Sequence, residues 1–222
     1  MSPEVFDVVN DRDHIVGKRF RGDVHRLGLM HRAVHVLVLN SKGHLYLQKR
    51  SHQKDTFPGA WDSSASGHVG TGENYDRTAV RELHEEIGVI AKRAPQRLFK
   101  VEARAETGQE FVWVYTLQHD GPFRINPAEV EFAAFFRVED VDRWMAERPR
   151  DFADAFRLIW KWFRHGRPKE KAKPPIKKPK AKKQTRPAPL QPRKPSKPRR
   201  PGKPAKPPRA HRKPQPRGRS RR

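Results

Sequence analysis

The chain has no cysteine among its 222 residues, which excludes a disulfide framework, a thiolate metal site and a cysteine nucleophile or proton donor. Nor does any apolar run approach the roughly 20 residues needed to span a bilayer. Its opening residues, Met1 to Asp13, are mixed and acidic, without the basic-then-apolar layout of a signal peptide. These absences predict a soluble, cytoplasmic protein.

Acidic residues nearly vanish from the last quarter. Residues 166–222 hold one, Glu170, against 24 Lys or Arg, together with 15 of the 21 prolines. That segment carries +23 of the formal +24, whereas residues 1–165 hold 25 basic and 24 acidic side chains. High charge, high proline content and almost no large apolar residue leave the segment too little burial to offset its ordering entropy, so residues 166–222 are predicted to be a disordered, extended arm. Residues 1–165 have the apolar content for one α/β domain with a proper core.

Alternation and turn residues predict strands near 4–9 and 14–20, a short helix near 22–27, and a buried strand over Ala33-Val-His-Val-Leu-Val-Leu39. Asn40-Ser-Lys-Gly43 then turns the chain into His44-Leu-Tyr-Leu-Gln48 as a hairpin. Strands near 97–103, 110–118 and 129–136 precede helices near 138–147 and 151–164. The last helix carries Phe152, Phe156, Ile159, Trp160 and Phe163 at helical spacing, which reads as core packing. The order predicts a mixed sheet sandwiched between helices.

The most informative stretch runs Gly67-His-Val-Gly-Thr-Gly-Glu73-Asn-Tyr-Asp-Arg-Thr-Ala-Val-Arg81-Glu82-Leu83-His-Glu85-Glu86-Ile-Gly88-Val89. Asn74 or Asp76 can cap a helix start, Gly88 is placed to end it, and Val80, Leu83 and Ile87 recur as a buried stripe. At about 100° per residue, Glu82, Glu85 and Glu86 share one face, turned away from that stripe. Three like charges so placed destabilise a helix by a few tenths of a kcal/mol per pair. A hard divalent cation reverses that sign, because it wants oxygen ligands and is usually held by one or two carboxylates plus substrate phosphate. A solvated acidic helix face is the competing reading.

The stretch fits G-x5-E-x7-R-E-U-x-E-E-x-G-U, with U aliphatic, at all nine specified positions, and so resembles the Nudix box. The resemblance implies an α/β/α sandwich and a Mg²⁺-dependent enzyme, with Mn²⁺ as the other candidate ion, acting on a small molecule that carries a diphosphate. It implies that Glu85 and Glu86 are principal metal ligands and Glu82 a further ligand or the base that orients water. It also implies that Gly67 and its loop approach metal and phosphates, while Arg81 and Glu73 pair structurally.

Arg21-Gly-Asp-Val-His25, Leu29-Met-His31-Arg-Ala33, Gln48-Lys-Arg50-Ser-His-Gln-Lys54-Asp-Thr-Phe57-Pro-Gly59-Ala-Trp61 and Ser63-Ser-Ala-Ser66-Gly-His68 together resemble type I isopentenyl-diphosphate isomerase and its hydrolase-like relatives. In that family His25, His31 and His68 would match metal ligands, Arg50 and Lys54 diphosphate-binding residues, and Glu110 a carboxylate that ligates metal and moves protons. In a hydrolase the three histidines would be substrate contacts or packing. His35, His44, His52 and His84 read as structural. Two departures favour hydrolysis: Ser66 stands where the isomerase needs a cysteine, and a hydroxyl is a poor acid–base group at neutral pH. The isomerase also tends to lose box carboxylates that are all present here. The expected function is a Nudix hydrolase, with an isomerase or prenyl-diphosphate binder as the alternative. Phe111, Trp113 and Phe123 are candidates for reading the group attached to the diphosphate.

A third expectation makes the basic arm a nucleic-acid or polyanion binder. With no aromatic residue in 166–222 to stack on bases, such binding should be independent of sequence and driven by counterion release. Compared with the full chain across a salt series, a chain truncated to residues 1–165 should lose binding to unrelated DNA and RNA and keep its turnover of a small substrate. Sequence-selective binding by the truncated chain would overturn this division of labour.

Overall fold

The computed structural model describes residues 4–168, so the predicted disordered arm falls outside the described residues from position 169 onward. The element order is β1 (Val5–Val9), β2 (Ile15–Phe20), α1 (Arg21–Arg26), β3 (His31–Leu39), β4 (Leu45–Arg50), β5 (Trp61–Asp62), β6 (Ala65–His68), α2 (Tyr75–Ile87), β7 (Gln96–Val101), β8 (Glu110–Gln118), β9 (Val130–Phe136), α3 (Val138–Glu147) and α4 (Asp154–His165). Each predicted element is present within a few residues. The two short strands β5 and β6 have no periodic pattern long enough to announce them. No helix among the described residues is long and apolar enough to cross a membrane.

Seven strands form one mixed sheet. β3 pairs in parallel with β8 along its whole length, from His31 opposite Glu110 to Leu39 opposite Gln118, while the other pairings are antiparallel. Alternation along β3 sends Val34, Val36 and Val38 to one face, where Ala79, Leu83 and Ile87 of α2 pack, and Ala33 and Leu37 to the other, where Phe152, Phe156 and Ile159 pack. The result is an α/β/α sandwich. The aromatic run of α4 is core, as its spacing predicts, with Trp162 joining it.

The predicted hairpin of β3 and β4 forms at its turn, where the Asn40 side chain accepts from the Lys42 and His44 amides. It pairs only Val38 with Tyr46 and Leu39 with Leu45 before the strands part. Beyond that point β3 takes β6 as its partner and β4 takes β5. Buried Ser64 bridges the fork, its hydroxyl accepting from the Val38 amide at 2.7 Å and donating to the Tyr46 carbonyl. This split matters because residues of both branches then face a common space.

β1 and β2 form a separate hairpin tied to the sheet through Asp13 in its turn. Asp13 accepts from Tyr75, Arg32 and Lys100, and a bridge between Phe6 and Gly70 joins β1 to the loop before α2. Because the fully buried Ser64 hydroxyl serves both branches of the fork, Ser64→Ala should lower stability by about 1–3 kcal/mol. Equilibrium denaturation checks this, and a change near zero would show that the fork holds without its bridge.

Candidate functional site

A cleft of about 780 Å³ opens at the split, lined by Arg50 of β4, Asp62 of β5, Ser66 and Gly67 of β6, and Glu82 and Glu86 of α2. The helix that supplies the carboxylates begins at Asn74, whose side chain accepts from the Arg77 amide at 3.0 Å. Asp76, the other candidate cap, instead takes bonds from Arg97 and Tyr115. The helix ends at Gly88 with φ 72°, where a Cβ would lie 2.8 Å from the Arg124 Cβ.

One expectation is corrected here. Glu82 and Glu86 do not turn away from the apolar stripe; they lie beside it and are only 7% and 2% exposed, while Glu85 alone is open to water. The reason is tertiary: β6 and its loop cover the row 78, 82, 86, so the helix buries a wider arc than its apolar residues mark. Val80, assigned to the stripe, is only half-buried, and Thr78 and Ala79 are inside.

Glu86 Oε2 accepts from the Ser66 amide at 2.8 Å and from Gln48 Nε2 at 2.9 Å. Burial still pushes its pKa up to about 7 against the opposing bonds and the cations Lys54 and Arg50. Burial also raises Glu82 well above the carboxylate range, and the Glu86 charge adds to it, although Arg81 bonds Glu82 at 2.8 Å and opposes both. Arg81 further holds Glu85 at 2.8 Å, Glu73 at 3.1 Å and the His68 carbonyl at 3.1 Å. The predicted Arg81–Glu73 pair therefore forms and clamps loop to helix. At Gly67 a Cβ would lie 1.9 Å from Glu82 Oε1, so the missing side chain makes room for that carboxylate.

A second cluster reaches the same cleft through His25 and His68, with His31 buried beside them. The rings of His25, His31 and His68 lie 5.0 to 5.2 Å apart by centroid, and one nitrogen from each falls within 4.8 Å of the others. Phe6 stacks on His68 at 4.7 Å and closes one side. His68 Nε2 donates to Glu110 Oε1 at 2.9 Å. His31 Nδ1 donates to the Leu29 carbonyl at 2.9 Å. His31 Nε2 sits 3.4 Å from Glu110 Oε1, and among the described residues neither it nor buried His25 Nε2 has a hydrogen-bond partner. Three imidazoles gathered beside a carboxylate are a donor set that could hold a cation. Burial pulls His25 down to about 4, helped by its histidine neighbours. For Glu110 burial acts upward, but the contacts with His31 and His68 prevail and hold it below the usual carboxylate range.

Arg50 and Lys54 reach the cleft, each already paired. Arg50 donates to Asp62 at 3.2 Å and to the Thr56 carbonyl at 3.1 Å; Lys54 donates to Glu129. Phe111 is core, Trp113 lies under Arg97, and Phe123 stacks on Tyr46 at 4.0 Å; none lines the cleft. Gln48, Asp62, Glu129 and His35 were not legible as site residues. The one signal for Gln48 is a polar residue at an inward position of a buried strand. His35, read as structural, is buried at the cleft wall with Nδ1 2.7 Å from Ser63 Oγ, and burial lowers its pKa.

The NUDIX domain family model matches residues 29–156. An uncharacterized Nudix hydrolase of Streptomyces coelicolor is 39% identical over 97 residues, covering 44% of this chain and 54% of that protein, so the chain spans about half of this relative. Isopentenyl-diphosphate Delta-isomerase 1 of Photorhabdus laumondii is 27% identical over 159 residues, covering 69% of this chain and 90% of the isomerase. A crystal structure of a Deinococcus radiodurans protein superposes with a TM-score of 0.57 at 30% identity, covering 65% of this chain and 90% of that one.

Glu86 makes stability pH-dependent. Its folded value near 7 exceeds the ordinary 4.5, so the native metal-free state keeps a proton that the unfolded chain releases between those values. The contribution is complete below pH 4.5 and is lost as pH rises through about 7. His25, depressed from 6.5 to about 4, acts in the opposite sense across that lower window. A difference measurement isolates the carboxylate: in chelator, Glu86→Gln should gain stability relative to wild type as pH rises from about 5 to about 8. A difference that stays constant across the denaturation series would refute the assignment.

Proposed function

Because this chain belongs to the Nudix family, we propose that it is a metal-dependent hydrolase that cleaves a diphosphate linkage in a small organic molecule. The observation that carries this reading is the convergence of Glu82, Glu85 and Glu86 from one helix, two of them buried with raised proton affinity, on a cleft that also holds Arg50 and Lys54. Buried carboxylates that repel one another fit Mg²⁺ or Mn²⁺, and the Gly67 cradle keeps their position free of a side chain. A bound divalent ion would neutralise charge on the phosphate oxygens and acidify water.

The chain's own residues do the rest. The Ser66 amide and Gln48 hold Glu86 in one orientation, and Arg81 holds Glu82 and Glu85. Once its proton is displaced, Glu82 is placed as a further ligand or as the base that orients the attacking water. Arg50 and Lys54 meet the diphosphate, exchanging Asp62 and Glu129 for phosphate oxygens in charge-assisted bonds. Catalysis on this reading is positioning and electrostatics. Glu110 stays ionised at neutral pH and is a weak base; we assign it to holding His68 and, with His25 and His31, to a second cation of the kind imidazole favours.

Isomerisation of a prenyl diphosphate is the second reading, favoured by the likeness to the Photorhabdus isomerase. Ser66 counts against it, since no residue of this cysteine-free chain supplies the thiol. Product identity separates the two over a Mg²⁺-supplemented panel of nucleotides, dinucleotide polyphosphates, nucleotide sugars and prenyl diphosphates. Release of phosphate or a monophosphate, with no interconversion of isopentenyl and dimethylallyl diphosphates, is expected. Glu85→Gln and Glu86→Gln should each lower turnover by orders of magnitude while the fold persists by circular dichroism. Full activity in either variant, or in excess chelator, would sink the proposal.

A further inference from the structure

We infer that Phe57 determines specificity: its ring is the platform on which a planar aromatic group of the substrate, a nucleobase, stacks. This rests on the diphosphate reading of the cleft and names what the diphosphate carries.

Three observations converge on this residue. Phe57 is the only large apolar side chain among the described residues that line the cleft; the others are charged, polar or small. A prenyl chain would have no apolar wall to lie against. A nucleobase needs one π face and polar edges, and a single exposed ring in a polar surround supplies both. The residue is also 45% exposed, so burial within the fold does not explain its presence.

The backbone at Phe57 is strained. Its φ of 48° lies in the left-handed region, which a bulky residue preceding a proline avoids. Such strain persists only where the surroundings impose it, and here they do. On the N-terminal side, Arg50 donates to the Thr56 carbonyl and hydroxyl, and Arg21 grips Asp55 with two bonds. On the C-terminal side, Gly59 is bonded to the Arg50 carbonyl and sits so close to the His52 ring that a Cβ would lie 2.6 Å from it. The loop is therefore pinned on both sides of a residue whose conformation is unfavourable and which stays nearly half exposed. Arg50 and Asp55, which hold the loop, line the cleft themselves, so the platform is built from the same residues that face the diphosphate.

The test is direct binding to the full chain, with ADP as the probe and pyrophosphate as the base-free comparator, by calorimetry in Mg²⁺. Wild type should bind ADP more tightly than pyrophosphate. Phe57→Leu, which keeps apolar area and loses the π face, should weaken ADP binding roughly tenfold, within the range that base stacking contributes. Pyrophosphate binding should be unchanged, and Phe57→Trp should retain ADP. Phe57→Gly relieves the backbone strain, so it should be at least as stable as wild type and still bind ADP weakly, which separates a ligand role from a structural one. Equal affinity of wild type for ADP and pyrophosphate, or an unchanged ADP affinity in Phe57→Leu, would overturn the inference. If ADP binds through Phe57 yet no diphosphate is hydrolysed, the hydrolase proposal fails and the platform stands.

Discussion

The structure depends on holding two carboxylates of one helix out of water, next to the backbone of a strand. Glu86 is fixed by the Ser66 amide and Gln48, and Glu82 fills the space that the absent side chain of Gly67 leaves. Both arrangements oppose the ordinary preference of a carboxylate for solvent, and burial raises the proton affinity of both groups accordingly. Everything around them follows from this constraint. The sheet forks so that β6 can lie over α2, Ser64 bridges the fork, and Arg81 spreads one positive charge over three acids.

The cleft divides into regions of different chemistry. Hard oxygen donors come from α2. Imidazoles from α1, β3 and β6 gather around Glu110, whose place opposite His31 is set by the parallel register of β3 and β8. Cations from β4 and the following loop are tied to Asp62 and Glu129. The near-neutral balance of residues 1–165 thus conceals a local order at the cleft, where Arg50, Lys54 and Arg81 each face a carboxylate.

Much of this was legible from local pattern. The helix spacing of Glu82, Glu85 and Glu86, the glycine that ends the helix, the strand alternation and the turn at Asn40 all express rules that act within one element. The histidines and Glu110 were reachable only through family resemblance, because residues as far apart as 25 and 110 have no spacing rule. Gln48, Asp62 and Glu129 escaped notice because single polar residues on strands carry no periodic signature. Phe111, Trp113 and Phe123 were named for their chemistry and proved to be packing, since an aromatic side chain serves both purposes equally well.

By itself the sequence determined the longer elements, the sandwich they form and the presence of three acids on one helix, since these depend on periodicity and on backbone preferences that short stretches express alone. Tertiary structure decided which of those acids are buried, which histidines meet and which aromatic ring reaches the cleft. Burial and proton affinity are properties of what packs against a residue from elsewhere in the chain. Glu85 and Glu86 are adjacent in sequence and alike in chemistry, yet one stands in water and the other under β6.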